Sequence, residues 1–259
     1  MNRINQLFGS RPKDLISIYF CAGAPTLDGT ASVIRTLERY GVSMIEIGIP
    51  FSDPMADGVV IQNAANQALH NGMSLRLLFE QLHDIRCDVA IPLVLMGYLN
   101  PIMQFGFDNF CRECQTCGID GVIIPDLPFK DYQEQYRAIA DSYDVKVIML
   151  ITPETSEARI REIDAYTDGF IYLVSSAATT GAQQDFDGQK RAYFKRIEEM
   201  HLKNPRMVGF GISNQATFRA ACEYASGAII GSRFVSLLEE EKDPEQAIKR
   251  LLEDIKKER

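Results

Sequence analysis

The sequence predicts an α/β fold, a single (β/α)8 or TIM barrel with an extra helix at its N-terminus. Eight apolar segments alternate with amphipathic ones, and they are nearly continuous, as parallel strands buried on both faces should be. The 259 residues match the usual size of such a barrel, about 250 residues. A doubly wound open sheet is the alternative. It normally carries a glycine-rich loop after its first strand, whereas the glycines here crowd the last two strands. Because no linker divides the chain, we expect residues 1–259 to form one domain.

Each predicted strand is a short apolar run bounded by turn-forming residues. The first strand ends at the turn Gly23-Ala24-Pro25, because glycine and proline interrupt regular structure. The second strand breaks at Pro50. The predicted strands cover residues 16–23, 44–49, 92–98, 121–126, 145–151, 170–176, 207–212 and 227–231.

The segments between the strands have apolar residues at the three- and four-residue spacing of an amphipathic helix. Ile4, Leu7 and Phe8 share one helical face and predict a short opening helix that closes one end of the core. Gly41 is a typical stop for the helix that precedes strand two. The further predicted helices cover residues 28–40, 59–69, 74–86, 104–117, 130–143, 155–166, 190–201, 215–224 and 244–257.

Strand two carries a carboxylate, Glu46, in the middle of an otherwise apolar run. An ionised carboxylate there loses its hydration, so it must find a partner or keep its proton. Asp53 and Asp57 follow in the loop beyond the strand. Carboxyl groups in contrasting environments can serve as general acid and general base of one site. A buried ion pair beside turn-forming aspartates would give the same pattern, and both interpretations remain open at this point.

Polar residues and glycines also occur at the ends of other predicted strands, where TIM barrels place their active sites. The polar residues are Tyr98, Asn100, Asp126, Tyr172 and Ser175. Residues 209–213 (GFGIS) follow strand seven, and Gly231-Ser232 precedes a short helix start after strand eight. Glycines and a helix N-terminus let backbone N–H groups approach an anion. We therefore favour a phosphate site over glycines that only form turns.

Several kinds of chemistry lack the residues that they need. No lysine lies at the C-terminal end of a predicted strand, so a Schiff base has no evident nucleophile. The histidines, His70, His83 and His201, lie away from the strand ends and form no metal-ligand cluster with carboxylates. No G-x-G-x-x-G motif indicates a dinucleotide. The sequence thus indicates metal-free acid–base catalysis by carboxylates on a phosphorylated small molecule.

Three cysteines, Cys111, Cys114 and Cys117, recur at every third residue of one predicted helix. A metal or iron–sulfur ligand set would need a fourth ligand, and a regular helix surrounds a cluster poorly. We favour ordinary reduced thiols on a helix face.

Composition limits the class of protein. The formal net charge of −8 argues against nucleic acid or an anionic membrane as the main partner. No apolar run approaches the ~20 residues that span a bilayer, and the N-terminus lacks the apolar core of a secretory signal. Six cysteines without a disulfide-like framework fit a reducing compartment. We therefore expect a cytoplasmic protein.

Residues 177–189 form a long polar segment that leaves the end of strand six. Loops of this length are usually lids or disordered segments. A lid would exclude water and complete the site when it closes. A plain surface excursion is the alternative, and the position at a strand end favours the lid.

At this stage the motifs amount to a resemblance. The segment 46–58 (EIGIPFSDPMADG) resembles the signature of the tryptophan synthase alpha subunit family. Similar segments follow in the family's order at Asn100-Pro101-Ile102, residues 125–128 (PDLP), Thr180-Gly181, residues 209–213 and Gly231-Ser232. Members of this family are (β/α)8 barrels that cleave indole-3-glycerol phosphate to indole and glyceraldehyde 3-phosphate in L-tryptophan biosynthesis.

The resemblance implies a beta-subunit partner in an α2β2 complex. Indole passes through a tunnel to that beta subunit, which carries pyridoxal phosphate, so no cofactor is implied in this chain. The loops around Asp53-Pro54 and Asn100-Pro101 match the face that meets the beta subunit.

The resemblance also implies catalytic roles. Glu46 matches the general acid/base that moves protons at indole C3 and the glycerol hydroxyl. Asp57 matches the carboxylate that accepts the indole N–H and stabilises the positive indolenine state. That state is the electron sink for a retro-aldol cleavage, so no Schiff-base lysine is needed. Tyr172 matches the tyrosine beside the catalytic glutamate, and Thr180 matches the lid threonine that meets the loop aspartate.

Substrate-binding roles follow in the same way. Gly181, Gly211, Gly231 and Ser232 match the phosphate cradle, and Tyr19 lies where the family has an aromatic residue at the indole pocket.

Three departures separate this chain from the family pattern. Ala24 replaces the aspartate of a common Gly-Asp-Pro turn, and Ala178 replaces the first glycine of the lid motif Gly-Val-Thr-Gly. Tyr19 replaces the commoner phenylalanine. Three alternatives stay open: a different phosphate-binding barrel such as an isomerase, a stand-alone indole-3-glycerol-phosphate lyase, and a catalytically silent subunit that only activates a beta partner.

Overall fold

A computed structural model describes residues 1–174, 188–209 and 211–256. Its strands form a closed parallel barrel in sequence order, with β8 paired to β1. The strands are β1 (Leu15–Cys21), β2 (Met44–Gly48), β3 (Leu93–Met96), β4 (Gly121–Ile123), β5 (Lys146–Ile151), β6 (Ile171–Val174), β7 (Arg206–Gly209) and β8 (Gly227–Ile230). The predicted fold class is confirmed, and each of these strands lies within one residue of a predicted apolar run.

The helices of the described residues surround this barrel. They are α1 (Arg3–Ser10), α2 (Thr30–Arg39), α3 (Val59–His70), α4 (Leu75–Leu82), α5 (Leu99–Phe105), α6 (Phe107–Cys117), α7 (Phe129–Asp131), α8 (Arg137–Ser142), α9 (Glu157–Tyr166), α10 (Gly188–Glu199), α11 (Gln215–Tyr224), α12 (Ser232–Glu241) and α13 (Pro244–Lys256). Short 3-10 turns cover Leu27–Gly29 and Ile85–Cys87, and a π-helical segment, Tyr132–Tyr136, joins α7 to α8. The described part of the chain holds no helix that is both long and apolar enough to cross a bilayer.

The predicted helices differ from the observed ones at several places. The helix predicted over 74–86 ends at Leu82, before the 3-10 turn Ile85–Cys87. The helix predicted over 104–117 is two helices, because Gly106 adopts φ 88° between them, a conformation that glycine reaches without strain. The helix predicted over 130–143 contains the π-helical segment. The short helix start after strand eight extends over ten residues in α12, which buries Phe234 and Leu237 against the core.

The helix α1 closes the amino end of the barrel, as its apolar spacing predicts. Ile4 is fully buried there, and the Asn2 side chain caps α1 by accepting a hydrogen bond from the Ile4 N–H at 3.0 Å. The amide of Asn2 also donates to the backbone oxygens of Asp120 and Asp144, each at 2.8 Å. The amino end is therefore sealed by both apolar packing and hydrogen bonds.

Strand register sets which side chains share a layer inside the barrel. Tyr19 on β1 is paired with Glu46 on β2, and Glu46 is paired with Val94 on β3. Because side chains alternate along a strand, Ser17 and Tyr19 point to the same side of β1. This register brings the single acidic residue of β2 next to polar groups of β1.

Candidate active site

A cavity of about 470 Å³ opens at the carboxyl ends of the strands, where β2, β6, β7 and β8 lead into their loops. It is lined by seven of the residues that the sequence singles out: Tyr19, Glu46, Asp57, Tyr172, Gly211, Gly231 and Ser232. Apolar side chains such as Met96, Ile61 and Ile229 complete the wall. The mixture of apolar wall and few polar groups is typical of a small-molecule site.

Glu46 is completely buried in the wall of this cavity. Its Oε1 accepts a hydrogen bond from the Ser17 hydroxyl at 3.2 Å, whereas its Oε2 is buried without a partner in the described residues. Burial raises the pKa of Glu46 to about 8, and the Ser17 hydrogen bond partly opposes that rise. At neutral pH Glu46 is therefore a carboxylic acid that can give up a proton.

Asp57 is held by the loop that follows β2. Its N–H donates to the Pro54 oxygen at 3.0 Å, and its own backbone oxygen accepts from the Gln62 amide at 2.8 Å. The Tyr98 hydroxyl donates to Asp57 Oδ2 at 2.9 Å and accepts the Ala56 N–H at 2.9 Å. These contacts fix the carboxyl group at the cavity wall.

The electrostatics of Asp57 differ from those of Glu46. Its Oδ1 is buried without a partner in the described residues. Burial raises the pKa of Asp57 to about 6, and the hydrogen bond from Tyr98 limits the rise. Asp57 is thus ionised at neutral pH, where Glu46 keeps its proton. The pair meets the requirement for an acid and a negative counter-charge in one site.

Two tyrosine rings flank Glu46, and each lies against a glycine. A Cβ at Gly48 would overlap the Tyr19 ring, and a Cβ at Gly209 would overlap the Tyr172 ring. Burial and the nearby carboxylates raise the pKa of both phenols well above the ordinary value, so both stay protonated. The two glycines make room for aromatic side chains beside the carboxyl group.

The opposite end of the cavity suits an anion. Gly211 adopts φ 77°, which favours glycine, and Gly231 is the residue before α12. The first N–H groups of α12, beginning at Ser232, have no partner within the helix, and the helix dipole adds a partial positive charge. The nearby Arg233 is engaged elsewhere, because it donates to Asp254 at 2.6 and 3.0 Å. Backbone N–H groups and the nearby serine hydroxyls, such as that of Ser232, are therefore the anion-binding groups that this end offers.

Some predicted residues do not join this site. Asp53, Asn100 and Asp126 do not line the cavity, and Asp126 Oδ1 instead accepts the Leu99 N–H at 2.8 Å. Ser175 and residues 177–187 of the predicted lid, with Thr180 and Gly181, lie outside the described residues. The last two residues of the predicted lid, 188 and 189, belong to α10. The roles that the resemblance gives Thr180 and Gly181 stay predictions.

The three cysteines of α6 are buried on its inner face. Burial raises the pKa of Cys111 to about 12 and that of Cys117 to about 11, and it raises the pKa of Cys114 as well. Cys117 Sγ lies 3.5 Å from the Phe79 backbone oxygen. The three thiols are free, and their interpretation as ordinary reduced thiols on a helix face stays a prediction. Residues 1–174, 188–209 and 211–256 contain no group of three His, Cys, Asp or Glu side chains that could hold a metal ion.

Two functional contacts escaped the sequence reasoning. The bond from Ser17 to Glu46 requires the register between β1 and β2, although the two-residue spacing from Tyr19 already places Ser17 on the same side of the strand. Tyr98 was identified only as a strand-end residue, and its bond to Asp57 joins positions 41 residues apart.

Comparison with known proteins agrees with this geometry. The family model described as "Tryptophan synthase alpha chain" matches residues 8–259. The chain is 84% identical over 251 residues to a tryptophan synthase alpha chain of Bacteroides fragilis, covering 97% of this chain and 95% of that relative. It is 78% identical over 256 residues to the one of Bacteroides thetaiotaomicron, covering 99% and 100%. Among solved structures, tryptophan synthase subunit alpha from Legionella pneumophila superimposes with a TM-score of 0.88 at 33% identity, covering 98% of this chain and 97% of that one.

Proposed function

The chain belongs to the tryptophan synthase alpha chain family, and we propose on that premise that Glu46 and Asp57 carry out its reaction in the cavity described above. The family assigns it to tryptophan biosynthesis and to the lyases. The single observation that supports the proposal is the pair of buried carboxyl groups in the wall of one cavity, each with one oxygen that no described residue contacts by a hydrogen bond. We further propose that residues 1–259 form one barrel domain.

The proposed substrate, indole-3-glycerol phosphate, has an apolar ring system at one end and a phosphate at the other. The ring system would lie between Tyr19 and Tyr172, next to the two carboxyl groups. The phosphate would accept hydrogen bonds from the N–H groups of Gly231 and Ser232 at the start of α12 and from that of Gly211 after β7. This orientation places the carbon–carbon bond to be cleaved beside Glu46.

The chemistry would take two proton transfers. Glu46 as an acid gives its proton to indole C3, and the positive charge that develops on the ring nitrogen is stabilised by ionised Asp57. The Glu46 carboxylate then removes the proton of the glycerol hydroxyl next to C3. The bond between C3 and that carbon breaks, its electron pair neutralises the ring, and the products are indole and glyceraldehyde 3-phosphate. Glu46 ends as it began, protonated.

Protonation states at neutral pH support this order. The reaction needs Glu46 protonated and Asp57 ionised at the start. Their pKa values of about 8 and about 6 make this the dominant state at a pH between the two values. Tyr19 and Tyr172 stay neutral and provide apolar ring faces.

An alpha chain implies a beta-subunit partner in general, and we propose that the partner binds beside the catalytic loop in an α2β2 complex. Met55 is 88% exposed and Val59 69% after β2, and Met103 is 47% exposed on α5, so both segments present apolar side chains to solvent. The two loops that the resemblance assigns to the interface are adjacent, because the rings of Phe51 and Tyr98 lie 5.3 Å apart. The beta subunit, which we expect to carry pyridoxal phosphate, would thus contact the loop that holds Asp57.

The experiment that tests this function measures indole release from indole-3-glycerol phosphate by the purified chain, alone and with a beta subunit added. We expect slow release that rises strongly with the partner, and an ~10²–10³-fold slower release for Asp57→Asn, which removes the counter-charge. Fast release without a partner would instead identify a stand-alone lyase. No release in either condition, from a folded chain, would contradict the substrate assignment.

A further inference from the structure

Ser17 is a polar residue in the interior of the barrel, and it is completely buried. Its hydroxyl donates to Glu46 Oε1 at 3.2 Å. Within the described residues this is the only hydrogen bond made by the Glu46 carboxyl group, whose Oε2 has no partner. A buried hydroxyl in a strand of otherwise apolar residues needs a reason, because burying a polar group has a cost unless it is hydrogen-bonded.

The hydrogen bond reaches Glu46 from the side away from the substrate. Ser17 lies opposite Met44 on β2, one layer below the pair formed by Tyr19 and Glu46. Glu46 lines the cavity, but Ser17 does not. The two carboxyl oxygens therefore differ: Oε1 is held by a residue of the barrel interior, and Oε2 has no partner among the described residues.

We propose that Ser17 is a positioning residue for the reaction: by holding Oε1 it fixes the rotation of the Glu46 carboxyl group, so that Oε2 is the oxygen that exchanges protons with the substrate. The inference rests on the proposed role of Glu46 in catalysis. It assigns distinct tasks to the two oxygens of one carboxyl group.

The same hydrogen bond affects the acidity of Glu46. A hydroxyl that donates to a carboxyl oxygen stabilises the ionised form, so the bond lowers the pKa of Glu46 against the larger effect of burial. Among the residues that the structure describes, the other titratable groups that face Glu46 are Tyr19 on β1, Tyr172 on β6 and Asp57 in the loop after β2. The tyrosines stay protonated across the working range, and Asp57 titrates at lower pH. An effect on the alkaline side of the pH profile therefore reports on Glu46.

The test uses three variants of Ser17. Ser17→Ala removes the hydroxyl. Ser17→Thr and Ser17→Val have nearly the same shape and differ in whether a hydroxyl is present, so they separate the hydrogen bond from the effect of added volume. Ser43→Ala is a matched control, because Ser43 is also buried but its hydroxyl accepts the Ile16 N–H at 3.2 Å and does not contact Glu46.

Indole release is measured as kcat and KM against pH, with the beta subunit present, and folding is checked by thermal unfolding. For Ser17→Ala we expect kcat to fall about tenfold with KM nearly unchanged, since only the reacting group is misplaced. The alkaline limb should move to higher pH by about 1, because the ionised form of Glu46 has lost its donor. Ser17→Val should behave like the alanine variant, and Ser17→Thr should restore both readouts.

The outcomes separate this inference from the proposed function. If Ser17→Ala keeps the normal kcat and the normal alkaline limb while Glu46→Gln is inactive, the positioning role is wrong and the catalytic role of Glu46 stands. If Glu46→Gln itself retains full turnover, the proposed function fails. If Ser17→Thr and Ser17→Val lose activity equally, packing rather than the hydroxyl is responsible, and the inference is overturned.

Discussion

The two ends of the barrel each bury a carboxyl group, but in opposite ways. At the amino end Asp120, 3% exposed, accepts hydrogen bonds from Arg86 at 2.6 Å, from Arg3 at 3.0 Å and from the Leu93 N–H at 3.0 Å. At the carboxyl end Glu46 accepts one serine hydroxyl, and its other oxygen has no partner in the part of the chain that the structure describes. Cationic partners stabilise the charge of a buried carboxylate, and their hydrogen bonds connect the elements that carry them. A buried acid without them keeps its proton and remains available for chemistry.

Removing the acid at the carboxyl end should have the largest effect on activity. Glu46→Gln keeps the shape of the side chain but cannot transfer protons, so we expect indole release to fall by about 10²–10⁴-fold. The measurement is a single-turnover assay with the beta subunit present. Normal turnover in this variant would remove Glu46 from the mechanism.

Glu46→Gln should be at least as stable as the wild type, and its advantage in the free energy of unfolding should increase with pH. The pKa of Glu46 rises from 4.5 to about 8 on folding, so the neutral side chain is tolerated at low pH, stability falls as pH rises between these two values, and the loss is complete above about 8. Glutamine does not titrate. Urea unfolding at pH 5 and pH 8 should therefore show the advantage of Glu46→Gln increasing with pH, and an advantage that decreases would contradict the raised pKa.

Removing the acid at the amino end should have the reverse result. Asp120→Asn leaves Arg86, which is only 15% exposed, without its anionic partner, so we expect a loss of about 3–5 kcal/mol of stability in urea unfolding. Activity of the folded fraction should stay normal, because Asp120 does not line the cavity and lies at the other end of the barrel. A stable but inactive Asp120→Asn would contradict the assignment of stability to the amino end and of catalysis to the carboxyl end.

A smaller effect is expected from Tyr98→Phe, which tests the difference in acidity between Asp57 and Glu46. The Tyr98 hydroxyl donates to Asp57 Oδ2 and so favours the ionised form. Without it the pKa of Asp57 should rise above about 6, and the acid limb of kcat/KM should move to higher pH by ~1, because Asp57 must be ionised to act. The alkaline limb should stay in place. The pH profile of indole release checks both statements.

The sequence was sufficient to predict the barrel because the apolar runs of the strands repeat along the whole chain. Strand ends also singled out six of the cavity-lining residues, since they converge at one face of a TIM barrel, and the family resemblance added Tyr19. The break at Gly106 was missed because the apolar spacing continues across it, and the local pattern carries no information about the φ angle. The π-helical turn at Tyr132–Tyr136 has the same apolar spacing as a helix and was missed for the same reason.

Contacts between distant positions were the harder part of the site. The bonds from Ser17 to Glu46 and from Tyr98 to Asp57 join positions 29 and 41 residues apart. Their existence depends on strand register and on the path of the loop after β2, which local sequence patterns do not specify. The partners that set the acidity of each carboxyl group could therefore be seen only in three dimensions.

The most direct test of the account is a titration of the Glu46 carboxyl group itself. Carbon-13 NMR of glutamate-labelled protein, with Glu46→Gln to assign the signal, reports its protonation state against pH. The account predicts that the carboxyl group is protonated at pH 7 and that its carbon signal titrates with a midpoint of about 8. A midpoint near the ordinary value of 4.5 would show that Glu46 is ionised at neutral pH and would contradict the central claim that an unpaired buried acid drives the chemistry of this site.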